Sequence, residues 1–301
     1  MKVAVAGGTG FLGREITKAL LDAGHQVVVG SRSRPVRNPI DSRAEWVSVD
    51  VTAPATLPAL VSGVDALVDA VQFPNSPIEN PRRGYTFERI DLGGTRNLVD
   101  AAKSAGNPLF IGLSGVGAAE KAPYHWLRYK WQEEQYIAGS GLPYVVFRPS
   151  WVYGPADVSL NRFLGFARFL PFVPVIGNGK TRINPLFVRD LASHVVAALE
   201  KDDARGKVFE IGGPTVMTMD EVIRTALRVT GKRRLLIHNP KPLMKLVASI
   251  VQFAPGRPLT PDAIDFITMD GVADTTKLQA TFGLRLTPLE EGLAAYLKRQ
   301  Q

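Results

Sequence analysis

The chain has 301 residues, of which 45% are hydrophobic and 21% charged, as is typical of an ordinary soluble globular protein with a substantial core. It contains no cysteine, which excludes disulfides and thiolate metal sites. Its 36 Lys and Arg residues against 28 Asp and Glu give a net charge of +8, which favours anionic partners such as phosphates, lipid headgroups or nucleic acid, although an indifferent basic surface explains it equally well.

Short β-branched runs alternate with amphipathic stretches through the first half of the chain. Strands are predicted at KVAVAG, QVVVGS, EWVSVD, DALVDAV, PLFIGLS and PYVVFRP. Helices are predicted between them at FLGREITKALLDAG, GGTRNLVDAAKSAG and LRYKWQEEQYIAGSG. Strands that alternate with helices pair in parallel through right-handed crossovers. We therefore predict an α/β fold with a doubly wound parallel sheet, the Rossmann fold.

After Arg148 the composition changes. The stretch FLGFARFLPFVPVIG is rich in aromatic residues and proline, and later helices such as TMDEVIRTALRVTG stand apart from any further strand series. We predict a Rossmann domain over residues 1–148 and a smaller region over residues 149–301. That region should cover the carboxyl ends of the strands, where ligands bind, and be interleaved with the edge of the sheet.

Two apolar stretches of this second region allow two interpretations. They run from Phe163 to Ile176 and from Leu243 to Ala254, and the second belongs to a helix between Pro242 and Pro255 that is too short to span a bilayer. They form core, or they form an apolar substrate pocket or a membrane-surface face beside basic residues. An apolar small-molecule substrate and a peripheral membrane contact therefore stay open.

Other partners and compartments find little support. The start MKVAVAGGTG runs directly into a glycine turn, unlike a secretory signal, so a cytoplasmic protein is expected. A peripheral position at a membrane is the alternative location. The basic clusters SRSRPVR and GKRRLL lack interleaved aromatic residues, so nucleic-acid binding is not predicted. No metal site is predicted either, because the histidines are scattered at positions His25, His125, His194 and His238.

The segment GGTGFLG places Gly7, Gly10 and Gly13 directly after a strand and at the start of a helix. In such a turn the glycines allow a tight reversal, a close approach to a pyrophosphate and tight packing of helix on strand. The helix N-terminus offers N–H groups to the anion. A plain tight turn is the alternative to dinucleotide binding. The predicted cofactor contacts are Gly7, Thr9, Gly10, Phe11, Leu12 and Gly13.

The end of the second strand distinguishes the two nicotinamide dinucleotides. An NAD site places an acid there to bind the ribose 2′-hydroxyl, whereas this chain has Ser31 and Arg32 and no acid before Asp41. A guanidinium pairs with a 2′-phosphate, which a carboxylate would repel. NADP(H) is therefore the predicted cofactor, and a solvated arginine loop is the alternative.

Six motifs together resemble the extended and atypical short-chain dehydrogenase/reductases over nearly the whole chain. They are GGTGFLG, VDVTAP, DLGGTRNLVDAAKSAG, FIGLSGVGA, LRYKWQEEQYIAGSGLPYVVFRPSWVYGP and INPLFVRDLASHVVAAL. The sequence looks most similar to the branch with NmrA-like proteins and the nucleotide-binding accessory subunit of respiratory complex I, and PLTPDAIDFITMDGVADTTKLQATFGLRLTPLEEGLAAYL supports the latter. The resemblance implies that Asp50 and Val51 meet the adenine, that Ala70 and Val71 line the cofactor groove, and that Pro149 to Val152 lie beside the nicotinamide.

The resemblance also implies a catalytic set of a serine, a tyrosine and a lysine four residues after the tyrosine. The tyrosine protonates the carbonyl, the serine binds it, and the lysine holds the ribose and lowers the phenol pKa. Ser114 and Lys130 match the serine and the lysine. The tyrosine position is Trp126, whose indole N–H can donate a hydrogen bond but is too weak an acid to transfer its proton to a substrate.

Two functions are compatible with this departure. The chain is expected to be an NADP(H)-dependent oxidoreductase on an apolar carbonyl- or quinone-type substrate, with a proton from water, Tyr124, Tyr129 or the C-terminal region. The alternative is a non-catalytic NADP(H)-binding assembly, regulatory or accessory protein. Lys130 serves either function, because both need the ribose held.

Overall fold

The computed structural model describes residues 1–35, 39–254 and 259–297. Arg37 and Pro255, which mark the ends of two segments discussed above, lie outside the described residues. The described strands lie, in chain order, at β1 Lys2–Ala6, β2 Gln26–Ser31, β3 Glu45–Ser48, β4 Ala66–Asp69, β5 Leu109–Leu113, β6 Tyr144–Pro149, β7 Val152–Tyr153, β8 Phe172–Ile176, β9 Arg182–Ile183, β10 Leu186–Phe187, β11 Lys207–Ile211, β12 Met217–Thr218 and β13 Leu235–Asn239.

Most of the helices lie between these strands. The α-helices are α1 Phe11–Asp22, α2 Pro58–Val61, α3 Gly93–Ser104, α4 His125–Ala138, α5 Val158–Phe169, α6 Val188–Ala198, α7 Met219–Val229, α8 Lys241–Val251, α9 Pro261–Ile267, α10 Thr276–Phe282 and α11 Leu289–Leu297. A π-helix, Phe87–Leu92, leads directly into α3. Short 3-10 helices occupy Pro54–Thr56, Pro81–Arg83 and Asp202–Ala204.

Seven parallel strands form the central sheet, in the order β11-β6-β5-β4-β1-β2-β3. The six strands predicted from the sequence are all in this sheet, which confirms the predicted doubly wound α/β fold. The chain order reverses between β1 and β4, and open α/β sheets bind ligands outside the carboxyl ends of the strands at such a point. The glycine turn follows β1 at this place.

Both faces of the sheet are buried, because successive side chains of a strand point to opposite sides. Val3 packs with Ile16 of α1 on one face, and Ala4 packs with Leu98 of α3 on the other. Strands that are covered on both faces read as continuous apolar runs, which explains their clear signal in the sequence.

The C-terminal half is not a separate layer. Its strand β11 pairs with β6 and completes the edge of the sheet, and α6 packs on α1. A third apolar cluster, around Tyr153, Leu160 and Val222, lies within this half. No helix of the described residues has the length and apolar character that crossing a bilayer requires.

Candidate functional site

The glycine turn has the shape of a phosphate cradle. Gly7 has a φ of +74°, and its N–H donates to the carbonyl of Gly30 at 2.9 Å. A Cβ atom on Gly7 would lie 2.6 Å from the carbonyl oxygen of Ala70, and one on Gly13 would lie 2.3 Å from that of Gly7. Only glycine therefore fits these two positions.

Helix α1 points an open N-terminus at this turn. Its N-cap residue is Gly10, which has no side chain to cap the first turn. The first N–H groups, those of Phe11, Leu12 and Gly13, have no intrahelical acceptors and can receive an anion. The Arg14 Nε–H donates to the Thr9 carbonyl at 2.8 Å and holds the turn from behind. These residues fit a dinucleotide pyrophosphate.

At the carboxyl end of β2 the structure presents a cation. Arg32 is exposed, and its guanidinium lies 5.5 Å from the ring centroid of Tyr85. The Ser31 hydroxyl accepts from the Trp46 indole N–H at 2.9 Å and donates to the Ser33 carbonyl at 3.0 Å. Ser31 thus fixes the loop, while Arg32 remains available to an anion.

The residues predicted to contact the adenine and those predicted to form the cofactor groove lie at the same edge of the sheet. The Asp50 carboxylate accepts from the N–H and the hydroxyl of Thr52, each at 2.8 Å, so it organises its own turn. Val51 is buried, and Ala70 and Val71 are half-buried directly after β4. Their contacts with a cofactor stay predictions, as does that of Pro149 at the end of β6.

Trp126 is buried at the start of α4. It is 3% exposed and stacks on Tyr124 with ring centroids 4.5 Å apart, and the ring of Phe266 from α9 lies 5.7 Å away. Within the described part of the chain, its indole N–H has no hydrogen-bond partner. The position expected for a tyrosine is therefore filled by an indole inside an aromatic cluster that includes Phe87.

Lys130 is enclosed by carboxylates. Its Nζ lies 2.9 Å from Glu133 Oε2, 3.3 Å from Asp91 Oδ1 and 3.5 Å from the Leu113 carbonyl, with the side chain 14% exposed. Burial raises the pKa of Glu133 to about 8 and that of Asp91 to about 6. Burial lowers the pKa of Lys130, but the charges of Glu133 and Asp91 outweigh it and the net shift is upward.

Ser114 belongs to a different network. Its hydroxyl donates to Glu134 Oε1 at 2.5 Å. The same carboxylate accepts from Nε and Nη2 of Arg148 at 2.8 and 2.6 Å, in a bidentate ion pair. Ser114 follows the strand whose last residue, Leu113, contacts Lys130, so the structure brings the two predicted catalytic residues to one strand end. Each of them is engaged by its own acid.

Sequence reasoning did not assign the acids that surround these residues. Glu133 and Glu134 follow Lys130 by three and four positions in α4, a spacing that places them on its helical face and that could have identified them. Asp91 carries no such signal, because its position depends on the π-helix. Tyr85, the partner of Arg32, lies far from it in the sequence.

His125 also has a partner that its sequence position did not reveal. Its Nε2 lies 3.0 Å from Glu79 Oε2, and this hydrogen bond raises the pKa of His125. Glu79, His125 and Asp262 bring atoms that could ligate a metal ion within 4.8 Å of one another. The ion pair already accounts for two of these three residues.

Comparison with known proteins agrees with this geometry. The NAD(P)H-binding family model matches residues 7–161, slightly more than half of the chain. The chain is 29% identical to the mitochondrial subunit 9 of the NADH dehydrogenase (ubiquinone) 1 alpha subcomplex of Mus musculus, over 99% of this chain and 80% of that protein. It is 26% identical to the photosystem II assembly factor Ycf39 of Synechocystis sp., over 99% of this chain and 91% of that protein.

A solved structure extends the comparison to the fold. The UDP-glucose 4-epimerase of Thermotoga maritima superposes with a TM-score of 0.78 at 20% identity, covering 100% of this chain and 99% of that one. At this identity the likeness concerns the fold alone. The predicted resemblance to dehydrogenase/reductase-type proteins and to the complex I accessory subunit is confirmed.

Proposed function

This chain belongs to the NAD(P)H-binding family, and on that premise we propose that it binds NADP(H) as an accessory or assembly protein and not as a carbonyl reductase of the usual kind. The bound nucleotide stabilises the fold or reports the redox state. Catalysis of the family type needs a proton donor, which this chain lacks at the expected position.

The observation that carries the proposal is the state of the three catalytic positions. Trp126 fills the place of the tyrosine inside an aromatic cluster. The Ser114 hydroxyl is bound to Glu134, and the Lys130 ammonium to Glu133. Because all three side chains are bound or packed elsewhere, cofactor binding is favoured over turnover. The glycine turn, in contrast, has the glycine positions and the open helix N-terminus that suit a dinucleotide.

The preference for NADP(H) over NAD(H) rests on the end of β2. Arg32 is exposed there, and the Ser31 hydroxyl is already engaged with Trp46 and Ser33. A 2′-phosphate would meet a guanidinium at this position, and a bidentate pair with phosphate is among the stronger charge-assisted contacts.

The relatives support a role as a subunit of a larger complex or in the assembly of one. One bears the name of a subunit of mitochondrial NADH dehydrogenase, and the other that of an assembly factor for photosystem II. In such a role this chain would be a cytoplasmic protein in peripheral contact with a membrane, with a protein complex as its partner.

A second candidate is an NADP(H)-dependent oxidoreductase on an apolar carbonyl- or quinone-type substrate, and the surroundings of Trp126 favour it. The rings of Tyr124 and Phe266 make this position apolar, and no described residue accepts the indole N–H. A carbonyl oxygen that entered this buried cluster could accept from that N–H. Water, Tyr124, Tyr129 or the C-terminal region would then supply the proton.

One experiment separates the two candidates. Purified protein is titrated with NADPH by fluorescence, and NADPH oxidation is then followed with carbonyl, quinone and flavin acceptors. We expect binding with little or no turnover, because general-acid catalysis contributes roughly 10²- to 10⁴-fold and an indole does not provide it.

The variant Trp126→Tyr sharpens this test, since it restores the spacing of four residues between tyrosine and lysine. Gain of ketone reduction in this variant supports the proposal. Turnover by the unmodified chain at a rate ordinary for a reductase, unchanged in Trp126→Tyr, overturns it in favour of the oxidoreductase. Failure to bind either nucleotide overturns both candidates.

A further inference from the structure

The C-terminal half carries an apolar surface that nothing in the described chain covers. It is formed by the end of α5, by β13 and by α8 with the residues just after it, and we call it the C-terminal face. Its most exposed large side chains are Phe169 at 81%, Leu235 at 74%, Leu246 at 61%, Ile250 at 68% and Phe253 at 83%. A soluble monomer rarely leaves so many large apolar groups together in water.

Helix α8 is amphipathic, with its apolar side turned outward. Its exposed apolar residues have the spacing of a single helical face, at Leu243, Leu246, Val247 and Ile250. The opposite side holds the fully buried Ala248 and packs on α9. Lys241 and Lys245 join α8 to α9 through ion pairs with Asp265 at 3.0 and 2.8 Å.

The three elements are adjacent in space. The Arg234 Nε–H, just before β13, donates to the carbonyl of Ala167 in α5 at 3.0 Å. Strand β13 places Leu235 opposite Phe172 of β8, three residues after Phe169, and α8 begins two residues after β13 ends. The exposed side chains therefore lie on α5 and β13, which are in contact, and on α8, which follows β13 directly.

The charge of the protein is concentrated in the same segments. Residues 158–176 and 230–254 contain seven Lys and Arg residues and neither Asp nor Glu. The rest of the chain then holds 29 basic and 28 acidic residues, out of 36 and 28 in total, so these segments account for almost the whole net charge of +8. Arg168 and Arg233 are both exposed beside the apolar side chains.

We infer that the C-terminal face docks on the surface of an anionic bilayer and lies in its interface. The inference rests on the peripheral membrane contact proposed above and names the surface and the lipid charge that would make it. An outward apolar side flanked by basic residues is the composition of interfacial helices. The 11 residues of α8 give a length of about 16 Å, too short to cross a hydrocarbon core of about 30 Å.

Charge decides between a bilayer and a second copy of this chain. Two copies that joined through the C-terminal face would bring the exposed Arg168 and Arg233 of each copy together, which costs free energy by repulsion. Anionic headgroups reverse the sign of that interaction, at about 1 kcal/mol, or roughly fivefold in affinity, for each Lys or Arg near the surface.

Docking in this way would also orient the candidate site. Helix α8 packs on α9, and α9 places Phe266 against Trp126 of α4. Trp126 would therefore lie two helices behind the docked face.

Vesicle flotation of the full chain tests the inference. Vesicles of phosphatidylcholine alone are compared with vesicles that also contain phosphatidylglycerol, at low salt and at about 0.5 M salt, where charge attraction is screened. We expect binding only to the anionic vesicles, with release by salt. The double variant Leu246→Glu/Ile250→Glu should weaken binding roughly tenfold or more, because two charges would enter the apolar interface.

Matched controls separate the face from general effects. Val216→Glu changes an apolar residue that is 50% exposed elsewhere, and it should bind vesicles like the unmodified chain. Arg168→Glu and Arg233→Glu should weaken binding more than Lys103→Glu and Lys121→Glu, which carry the same charge changes on other exposed elements.

Three outcomes overturn the inference. They are no binding of the unmodified chain to anionic vesicles at low salt, equal binding by Leu246→Glu/Ile250→Glu, and a dimer in sedimentation that becomes a monomer in this variant without any vesicle binding. NADPH titration of each protein keeps this result distinct from the proposed cofactor function, because the substitutions lie outside the glycine turn.

Discussion

Among the residues that the structure describes, Lys130 is the cation in contact with Glu133 and Asp91, and a third buried carboxylate, Asp69, acts on it through space. One ammonium cannot neutralise three carboxylates in a poorly hydrated interior, so a proton is retained on the acids. Burial raises the pKa of all three acids, with values of about 8 for Glu133 and about 6 for Asp91. The charge of this cluster therefore changes near neutral pH.

The variant Glu133→Gln should alter the pH dependence of stability. Between pH about 4.5 and about 8 the folded chain holds a proton on Glu133 that the unfolded chain has lost, so the free energy of unfolding falls as the pH rises through this window. A glutamine removes this slope. From pH 6 to pH 9 the unmodified chain should lose about 1 to 3 kcal/mol more than the variant, as measured by urea unfolding.

Glu120→Gln is the matched control for this measurement, because Glu120 is exposed. It should follow the unmodified chain at every pH. If the free energies of unfolding of Glu133→Gln and the unmodified chain changed equally with pH, Glu133 would not hold a proton near neutral pH in the folded chain.

Arg32 is the residue expected to select the cofactor. NADPH should bind more tightly than NADH, and Arg32→Glu should reverse this order, because a carboxylate repels the 2′-phosphate and binds a ribose hydroxyl. The change in NADPH affinity should be roughly tenfold or more, as for a hydrogen bond to a charged group. Titration of both nucleotides at one fixed salt concentration measures it.

Arg96→Glu provides the control, since the guanidinium of Arg96 also lies over an aromatic ring, that of Tyr136, but on α3. It should leave the ratio of the two affinities unchanged. Equal affinities of the unmodified chain for NADPH and NADH would remove Arg32 as the phosphate reader.

At the scale of elements, the junction of β1 and α1 depends on Gly13 for its shape. A methyl group there would meet the backbone at the Gly7 carbonyl and at Gly8 Cα, 2.3 and 2.7 Å away, and neither is a flexible side chain. Gly13→Ala should therefore push α1 away from the turn and weaken NADPH binding by roughly tenfold or more. Fluorescence titration checks the affinity, and circular dichroism checks that the helices remain.

Gly165→Ala in α5 is the matched change, because among the described residues no atom other than those of its chain neighbours and its own helix backbone lies within 4 Å of an added Cβ. It should leave binding unchanged and stabilise the chain by about 0.5 to 1 kcal/mol, the usual gain of Ala over Gly in a helix. NADPH affinity that survives Gly13→Ala would mean that the nucleotide does not approach this part of the turn.

The elements that could be predicted from sequence are those with a local cause. Strands β1 to β6 are apolar on both faces, and the glycine turn needs glycines at fixed positions. Both features therefore produce a recognisable pattern in the sequence. Strand β11 was not predicted, because its partner β6 lies far back in the sequence and their pairing leaves no local pattern. The π-helix that presents Asp91 to Lys130 likewise has no pattern of its own.

For the molecule as a whole, the two regions expected from the sequence are tied together through the chain. Strand β11 of the second region extends the sheet of the first. Helix α6 of the second region packs on α1 of the first, and Arg189 Nε of α6 lies 3.6 Å from Glu15 Oε2 of α1. The ring centroids of Phe147 in β6 and Phe282 in α10 lie 5.9 Å apart. We therefore expect the predicted boundary at residue 148 not to separate two independent folding units.

Scanning calorimetry should accordingly record a single unfolding transition, and NADPH should raise the Tm of that whole transition. A ligand that binds only the folded chain adds about 2.7 kcal/mol at a hundredfold excess over its Kd, which raises the Tm by roughly 5 °C for a chain of this size. Leu246→Glu/Ile250→Glu, altered only on the C-terminal face, should show the same shift. Two transitions, of which NADPH moves only one, would mean that residues 1–148 and 149–297 unfold independently, and that the contacts of β11 with β6, of α6 with α1 and of Phe282 with Phe147 do not couple them.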